Sequence, residues 1–169
     1  MIENKTTTTN NNNVRKRINF DEPIADMIER LTSEHRNFEI KLQEAENAIN
    51  SIKDISYATK IIRSMSESIT HHAVEEEARL LRVIMHKAKD ESSESIKIMQ
   101  EHNWVIKFFK NILPEIENKR KNLDQSSLAS KFNEDAKSIK EFISKLKEHF
   151  LEEEQIVFPL VLKAENKAS

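Results

Sequence analysis

Histidine and glutamate recur in this chain at a spacing that could bind metal ions. His72 is followed four residues later by Glu76, and His149 is followed four residues later by Glu153. Positions four apart lie on one face of an α-helix, about 6 Å from each other, so each pair can present an imidazole nitrogen and a carboxylate in one direction. Such nitrogen and oxygen donors suit iron, manganese or zinc. The spacing therefore predicts a metal site.

The pattern occurs twice along the chain. A histidine precedes each pair, His35 within EHRNF and His102 within EHNWV, and the pairs themselves lie within HAVEEEARLL and HFLEEEQIVF. A repeated order of one histidine and then His-x-x-x-Glu predicts a site with approximate two-fold symmetry, built from four helices. This is the arrangement expected of a dinuclear metal centre.

A single histidine on a helical stripe is more often a hydrogen-bonded core residue than a ligand. Here four histidines and two glutamates fall on apolar stripes, where they would form a costly set of buried polar groups without a metal. The coincidence favours coordination. The predicted metal ligands are His35, His72, Glu76, His102, His149 and Glu153.

The neighbouring carboxylates are expected to behave differently from the ligands. They lie about 100° around the helix from a site residue, so most are predicted to face solvent. They are Glu75, Glu77, Glu152 and Glu154. Two of them, Glu77 and Glu154, are candidates to hydrogen-bond a ligand histidine. His71 and His86 lie off the site and are predicted to be surface residues.

The elements that must position these residues are helices. The chain has 169 residues, no glycine and only three prolines, which favours an all-α fold. Apolar residues step by three and four along four stretches, and the expected buried positions include Met99 and Ile156. The predicted connections are residues 51–54, 87–95 and 121–127. Short links of this kind predict an antiparallel, up-down-up-down four-helix bundle over residues 21–166.

Composition excludes several other classes of protein. The chain has no cysteine, which excludes thiolate sites and disulfides, and its net charge of −2 gives no indication of a nucleic-acid or membrane partner. Its apolar runs fall short of the ~20 residues that cross a bilayer, and the N-terminus lacks the apolar core of a signal peptide. We therefore expect a soluble, cytoplasmic protein. The TTTTNNNN stretch predicts a disordered tail over residues 1–20.

Taken together, the doubled motif resembles the HHE cation-binding branch of the hemerythrin-like family, over roughly residues 21–164. The resemblance implies two non-haem iron ions with an oxo or hydroxo bridge, with manganese or zinc as other possible metals. It implies that the four histidines are terminal ligands and that Glu76 and Glu153 bridge the ions. The implied partner is a small diatomic ligand, O₂ or NO, or peroxide, in sensing, detoxification, or iron storage and delivery.

The chain departs from the oxygen-carrying hemerythrins at two positions. Those proteins typically have a fifth histidine four residues after the one on the third helix, and an aspartate five residues after the one on the fourth. Ile106 and Glu154 occupy these positions here, and Glu153 stands at the four-residue spacing. The departure disfavours simple reversible oxygen transport.

Three alternatives remain open from the sequence. A di-iron oxidase or peroxidase-like enzyme and a reversible oxygen carrier could use the same residues, although we favour a metal-binding redox protein over a dedicated enzyme. A bundle with a purely structural or scaffolding role is the third. Ferritin-like di-iron proteins are disfavoured, because their Glu-x-x-His signature is absent from the chain.

Overall fold

The computed structural model describes residues 16–167, and these residues are helical with no strand among them. Most of the predicted disordered tail, residues 1–15, lies outside the described residues; residues 16–20 have no regular secondary structure. Four helical segments follow, consistent with a four-helix bundle. Within the described residues, none of the helices is long and apolar enough to cross a membrane.

Each helical segment contains a π-helical turn, in which the hydrogen bonds span one residue more than in an α-helix. Segment one is α1 (Ile24–Asn47) followed by the π turn Ala48–Ile52. Segment two is α2 (Ile55–Glu75), the π turn Glu76–Leu81 and α3 (Arg82–Lys87). Segment three is α4 (Ser92–Lys107), the π turn Phe108–Ile112 and α5 (Leu113–Asn122). Segment four is α6 (Gln125–Glu152), the π turn Glu153–Val157 and α7 (Phe158–Asn166).

Aspartates begin two of these segments. Asp54 accepts a hydrogen bond from Tyr57 N at 2.9 Å, and Asp124 accepts one from Ser127 N at 2.7 Å. Each bond satisfies an amide of the first turn that has no partner within the helix. Just before Asp54, Lys53 adopts the left-handed conformation at φ 60°. Glycine usually takes this position after a helix, but the chain contains none, so a lysine ends segment one.

Two predicted connections are too long. The polar residues 87–95 were expected to separate helices, but α3 continues to Lys87 and α4 begins at Ser92, with only a 3₁₀ turn (Lys89–Glu91) between them. Likewise, α5 ends at Asn122 and α6 begins at Gln125. Serine and acidic residues suit the first turn of a helix, so a polar run does not mark where a helix stops.

The apolar core consists of two separate clusters. The larger lies between Phe38 and Ile69 of segments one and two and between Val105 and Phe150 of segments three and four. The smaller contains residues of all four segments between Met27 and Val161. In segments one to three the predicted metal ligands lie, along the chain, between the residues of the two clusters. In segment four Glu153 does so, whereas His149 directly precedes Phe150 of the larger cluster. The candidate site therefore forms a polar layer between the two apolar clusters.

The π turn of segment four changes which residues are buried. Ile156 was predicted to be buried but is 46% exposed, whereas Val157 is 2% exposed. Both lie in the π turn Glu153–Val157, whose additional residue moves the buried stripe one position along the chain.

In segment three the prediction of Met99 as a core residue is also wrong. Ile98 is buried in its place, because the stripe approaches His102 in a step of four.

The shift can be tested with two neighbouring substitutions. Val157→Ala should lower the free energy of unfolding by about 2 kcal/mol, because it removes two buried methyl groups and leaves a cavity. Ile156→Ala should change it by less than about 0.5 kcal/mol. Urea unfolding monitored by circular dichroism measures both. The opposite ranking would show that segment four is α-helical through this region.

Candidate metal centre

The structure brings all six predicted ligands together in the interior. Each of the six side chains is buried. They form two overlapping groups, each of which could hold a metal ion, and within each group the ligand atoms lie within 4.8 Å of one another. One group contains His35 and His72, and the other contains His102 and His149. Glu76 and Glu153 belong to both.

The two shared carboxylates each direct one oxygen toward each histidine pair. Glu76 Oε1 lies 3.1 Å from His72 Nε2, and its Oε2 lies 3.2 Å from His102 Nε2. Glu153 Oε1 lies 2.8 Å from His149 Nε2, and its Oε2 lies 3.1 Å from His35 Nε2. This is the arrangement that two carboxylates need to bridge a pair of cations.

The distances of these contacts are those of hydrogen bonds, but the angles of several are not. Both oxygens of Glu76 and Oε2 of Glu153 are buried without a hydrogen-bond partner. An unsatisfied buried carboxylate oxygen is strongly unfavourable, and such groups are rare in native interiors. Within one of the two groups, Nε2 of His35 and Nε2 of His72 lie only 3.0 Å apart. The donor atoms therefore converge on shared space, and a cation there would satisfy them together.

The backbone at the two shared glutamates is not ordinary α-helix. Glu76 is the first residue of the π turn Glu76–Leu81, and Glu153 is the first residue of the π turn Glu153–Val157. Such turns are frequent at functional sites, where the additional residue redirects side chains. Pro159 follows the second turn, where it cannot donate an α-helical hydrogen bond. No proline accompanies the turn at Glu76.

A second glutamate holds each ligand histidine from outside. Every Nδ1 atom lies within 2.9 Å of a carboxylate oxygen, and because an ionised carboxylate only accepts, each Nδ1 carries a hydrogen. Each Nε2 is then the atom directed to the centre. The pairs are His35 with Glu154 at 2.8 Å, His72 with Glu34 at 2.7 Å, His102 with Glu77 at 2.9 Å and His149 with Glu101 at 2.6 Å. We call these four carboxylates the outer glutamates.

Sequence reasoning found two of the outer glutamates and missed two. Glu77 and Glu154 had been identified as candidate partners of the ligand histidines. Glu34 and Glu101 had not, although each directly precedes the first histidine of its half, in EHRNF and EHNWV. The shared EH dipeptide was the available signal. Each of these glutamates binds the histidine of a neighbouring helix, a contact that spacing within one helix does not reveal.

The prediction that Glu75 faces solvent is wrong. Glu75 is 4% exposed, and it accepts hydrogen bonds from both terminal nitrogens of Arg30, at 2.9 and 3.1 Å. A guanidinium fork compensates for the burial of this carboxylate. His71 is half-buried, with Nε2 3.5 Å from Glu75 Oε2, whereas His86 is exposed as expected. Neither His71 nor His86 belongs to either metal-binding group.

Without a metal ion, the neighbouring carboxylates would hold several of the histidines in their charged form. Burial lowers the pKa of His72, but Glu76 and Glu34 outweigh it and raise that pKa to about 10. In the same way, Glu153 and the other neighbouring carboxylates raise the pKa of His102 to about 11 and that of His149 to about 9. Burial raises the pKa of Glu153, but His149 and His102 hold it well below its ordinary value.

A small cavity lies directly beside the centre. Its volume is about 10 Å³, close to the minimum that holds one water molecule. Three ligand histidines contribute to its wall, and the other lining residues are mostly apolar, Ile106 among them. Ile106 and Thr70 also line a groove on the surface between segments two and three. These two residues therefore separate the cavity from a groove open to solvent.

Comparison with known proteins adds no relative: no protein-family model, no curated protein and no solved structure matches this chain.

The charges of the centre predict how the stability of the metal-free protein depends on pH. Raised histidine pKa values contribute stability that is fully present below the unfolded value of 6.5 and is lost as the pH rises toward about 9 to 11. The lowered pKa of Glu153 contributes stability above 4.5 that is lost in acid. Chelator-treated protein should therefore be most stable between about pH 4.5 and 6.5. Urea unfolding across pH 4 to 9 measures this, and a maximum near pH 8 would contradict the assigned charges.

Proposed function

We propose that this chain is a hemerythrin-like protein of the HHE type, with a non-haem di-iron centre that binds or reacts with a small ligand. The ligand would be O₂, NO or peroxide, and the role would be sensing, detoxification, or iron storage and delivery. One observation carries the proposal. Glu76 and Glu153 are both buried, and each turns one carboxylate oxygen to each of two histidine pairs.

The ligand set supports two ions of intermediate softness. Each half offers two imidazole nitrogens and one oxygen from each shared glutamate, a combination suited to iron, manganese or zinc. Iron is proposed from the doubled histidine and glutamate motif and its resemblance to the HHE branch. Bound in this layer, two iron ions would supply Lewis acidity and exchangeable electrons. The protein would hold them through His Nε2 atoms whose orientation the outer glutamates fix.

The order of the two apolar clusters supports an up-down-up-down arrangement. Segments one and three pass from the smaller cluster through the ligand layer to the larger one, and segments two and four pass the opposite way. Short connections between consecutive segments agree with antiparallel neighbours. This is the bundle topology expected of a hemerythrin-like protein.

The small cavity supports a very small ligand as the partner. Its volume of about 10 Å³ is close to the minimum for one water molecule and excludes an organic substrate from the centre itself. Ile106, which stands where oxygen-carrying hemerythrins typically have a fifth histidine, lines this cavity. An apolar side chain there leaves space next to the ligand histidines and supplies no nitrogen. Reaction is then favoured over stable, reversible storage of oxygen.

A second candidate is an oxidase or peroxidase-like enzyme. A groove of about 510 Å³ opens beside His149 and Glu101, and Trp104 and Lys145 also line it. A groove of this size could admit an organic reductant next to a ligand histidine. Repeated turnover with a soluble reductant and peroxide would favour this candidate, and a single stoichiometric reaction would favour a binding protein.

Metal analysis tests the proposed centre directly. Protein produced with added iron should contain close to two iron ions per chain, as measured by mass spectrometry of the metal. His102→Ala should lower this content, because the residue lies in the ligand layer, whereas the exposed His86 can be replaced by alanine without loss. Equal metal content in both variants would reject the assigned ligands.

Ligand kinetics test the cavity. Nitric oxide mixed with the ferrous protein should bind and change its optical spectrum. Ile106→Trp fills the cavity and should slow this association about tenfold, the effect of roughly 1.4 kcal/mol on the barrier. Ile112→Trp, at a 39% exposed position of the same segment, is the control. Unchanged stopped-flow rates in Ile106→Trp would place the ligand elsewhere.

Full recovery of the ferrous spectrum over several oxygen cycles would identify a carrier.

A further inference from the structure

The ligand layer has two halves, one with His35 and His72 and the other with His102 and His149. They differ in which residues bind their outer glutamates. In the His35 and His72 half, both outer glutamates also bind an arginine. Arg30 Nη1 donates to Glu34 Oε1 at 3.0 Å, while the other oxygen of Glu34 accepts from His72. The carboxylate is therefore shared between a guanidinium and a ligand histidine.

The second arginine repeats this arrangement. Arg36 Nη2 donates to Glu154 Oε2, while Glu154 Oε1 accepts from His35 Nδ1 at 2.8 Å. Arg36 also binds Glu39 on its own helix, and its side chain is 53% exposed. Both arginines belong to segment one, so both act on the same half of the layer.

The His102 and His149 half has no such partners. Among residues 16–167, neither Glu77 nor Glu101 forms an ion pair with a lysine or an arginine. Each binds only its ligand histidine, at 2.9 and 2.6 Å. Neither carboxylate is therefore shared with a guanidinium.

The internal repeat shows which residues cause the difference. Lys97 stands five residues before His102, as Arg30 stands five before His35, and Asn103 takes the place of Arg36. Lys97 pairs with Glu152 and forms no ion pair with Glu101, although its positive charge still acts on that carboxylate. A single ammonium serves one carboxylate here, whereas the guanidinium of Arg30 binds Glu22, Glu34 and Glu75. Asn103 carries no charge at all.

Sharing a carboxylate with arginine weakens it as an acceptor for the imidazole Nδ1 hydrogen. The imidazole is then a poorer electron donor at Nε2, because the outer partner sets the basicity of a ligand histidine. This effect acts against binding of a metal ion by the half that contains His35 and His72.

We propose that the two metal positions are inequivalent, and that Arg30 and Arg36 make the His35 and His72 half the weaker one. The inference rests on the proposed dinuclear centre and goes beyond it. The His102 and His149 half binds the first ion, and the other half releases its ion first to a chelator. The arginines act through Glu34 and Glu154 and do not touch the ions.

Two single-half proteins measure the difference. Co²⁺ is titrated against a competing chelator into His35→Ala, which keeps the His102 and His149 half intact, and into His102→Ala, which keeps the other. His35→Ala should bind its ion roughly two- to tenfold more tightly. If either variant fails to fold by circular dichroism, His35→Gln and His102→Gln replace the pair. Equal affinities would overturn the inference.

Exchanging the residues of the repeat tests the cause. Arg36→Asn in the His102→Ala protein should tighten Co²⁺ binding roughly two- to fivefold, and Asn103→Arg in the His35→Ala protein should weaken it by a similar factor. Arg36→Lys keeps the charge and should stay close to the parent protein. Lys41→Asn removes an exposed charge from the same helix and controls for distant electrostatics. An Arg36→Asn effect no larger than that of Lys41→Asn would also overturn the inference.

The unmodified chain distinguishes this inference from the proposed function. Binding of two Co²⁺ ions per chain supports the dinuclear centre, and binding of one ion or none rejects it. Two ions together with equal single-half affinities would reject only the inequivalence.

Discussion

Burial of two carboxylates among four imidazoles is the constraint on which the rest of this structure depends. No apolar packing can compensate for such a layer, so its charges must be satisfied by one another or by cations. Three parts of the surrounding bundle act on this layer. The outer glutamates fix the imidazoles, and arginines offset the charge of two of these glutamates. The apolar clusters on either side exclude solvent from the layer.

The internal repeat extends beyond the ligands, and then it ends. Ligands, shared glutamates and outer glutamates all have a counterpart in the other half of the chain. Symmetry fails at the next contacts, where Arg36 corresponds to Asn103 and Arg30 corresponds to Lys97. The residues that would touch a metal ion are therefore the same in both halves of the chain. The residues one contact further out differ, so the two metal positions would have different surroundings. Two ions bound by identical donors need not be chemically identical.

Much of this could be predicted from the sequence, for a physical reason. The predicted ligand positions lie on the helical period, so spacing alone placed all six in one layer, and the helical class followed from composition. Ile156 and Met99 were wrongly predicted to be buried, because a regular spacing of three and four residues takes no account of π turns or of local shifts in which residues face the core. Glu34, Glu101 and the burial of Glu75 were missed because their partners lie on other helices. Contacts between helices depend on how the segments are rotated, which a single stripe does not specify.

The π turns at Glu76 and Glu153 have a consequence for how this chain can change. On one side of each turn, the helix keeps the phase that fits the larger cluster, and on the other side it keeps the phase that fits the smaller one. The additional residue separates these two registers in segments two and four, whereas α1 and α4 pass through the ligand layer as unbroken α-helix. Segments two and four can therefore accept substitutions in one apolar cluster without matching changes in the other. Segments one and three keep the two clusters in a fixed rotational relation.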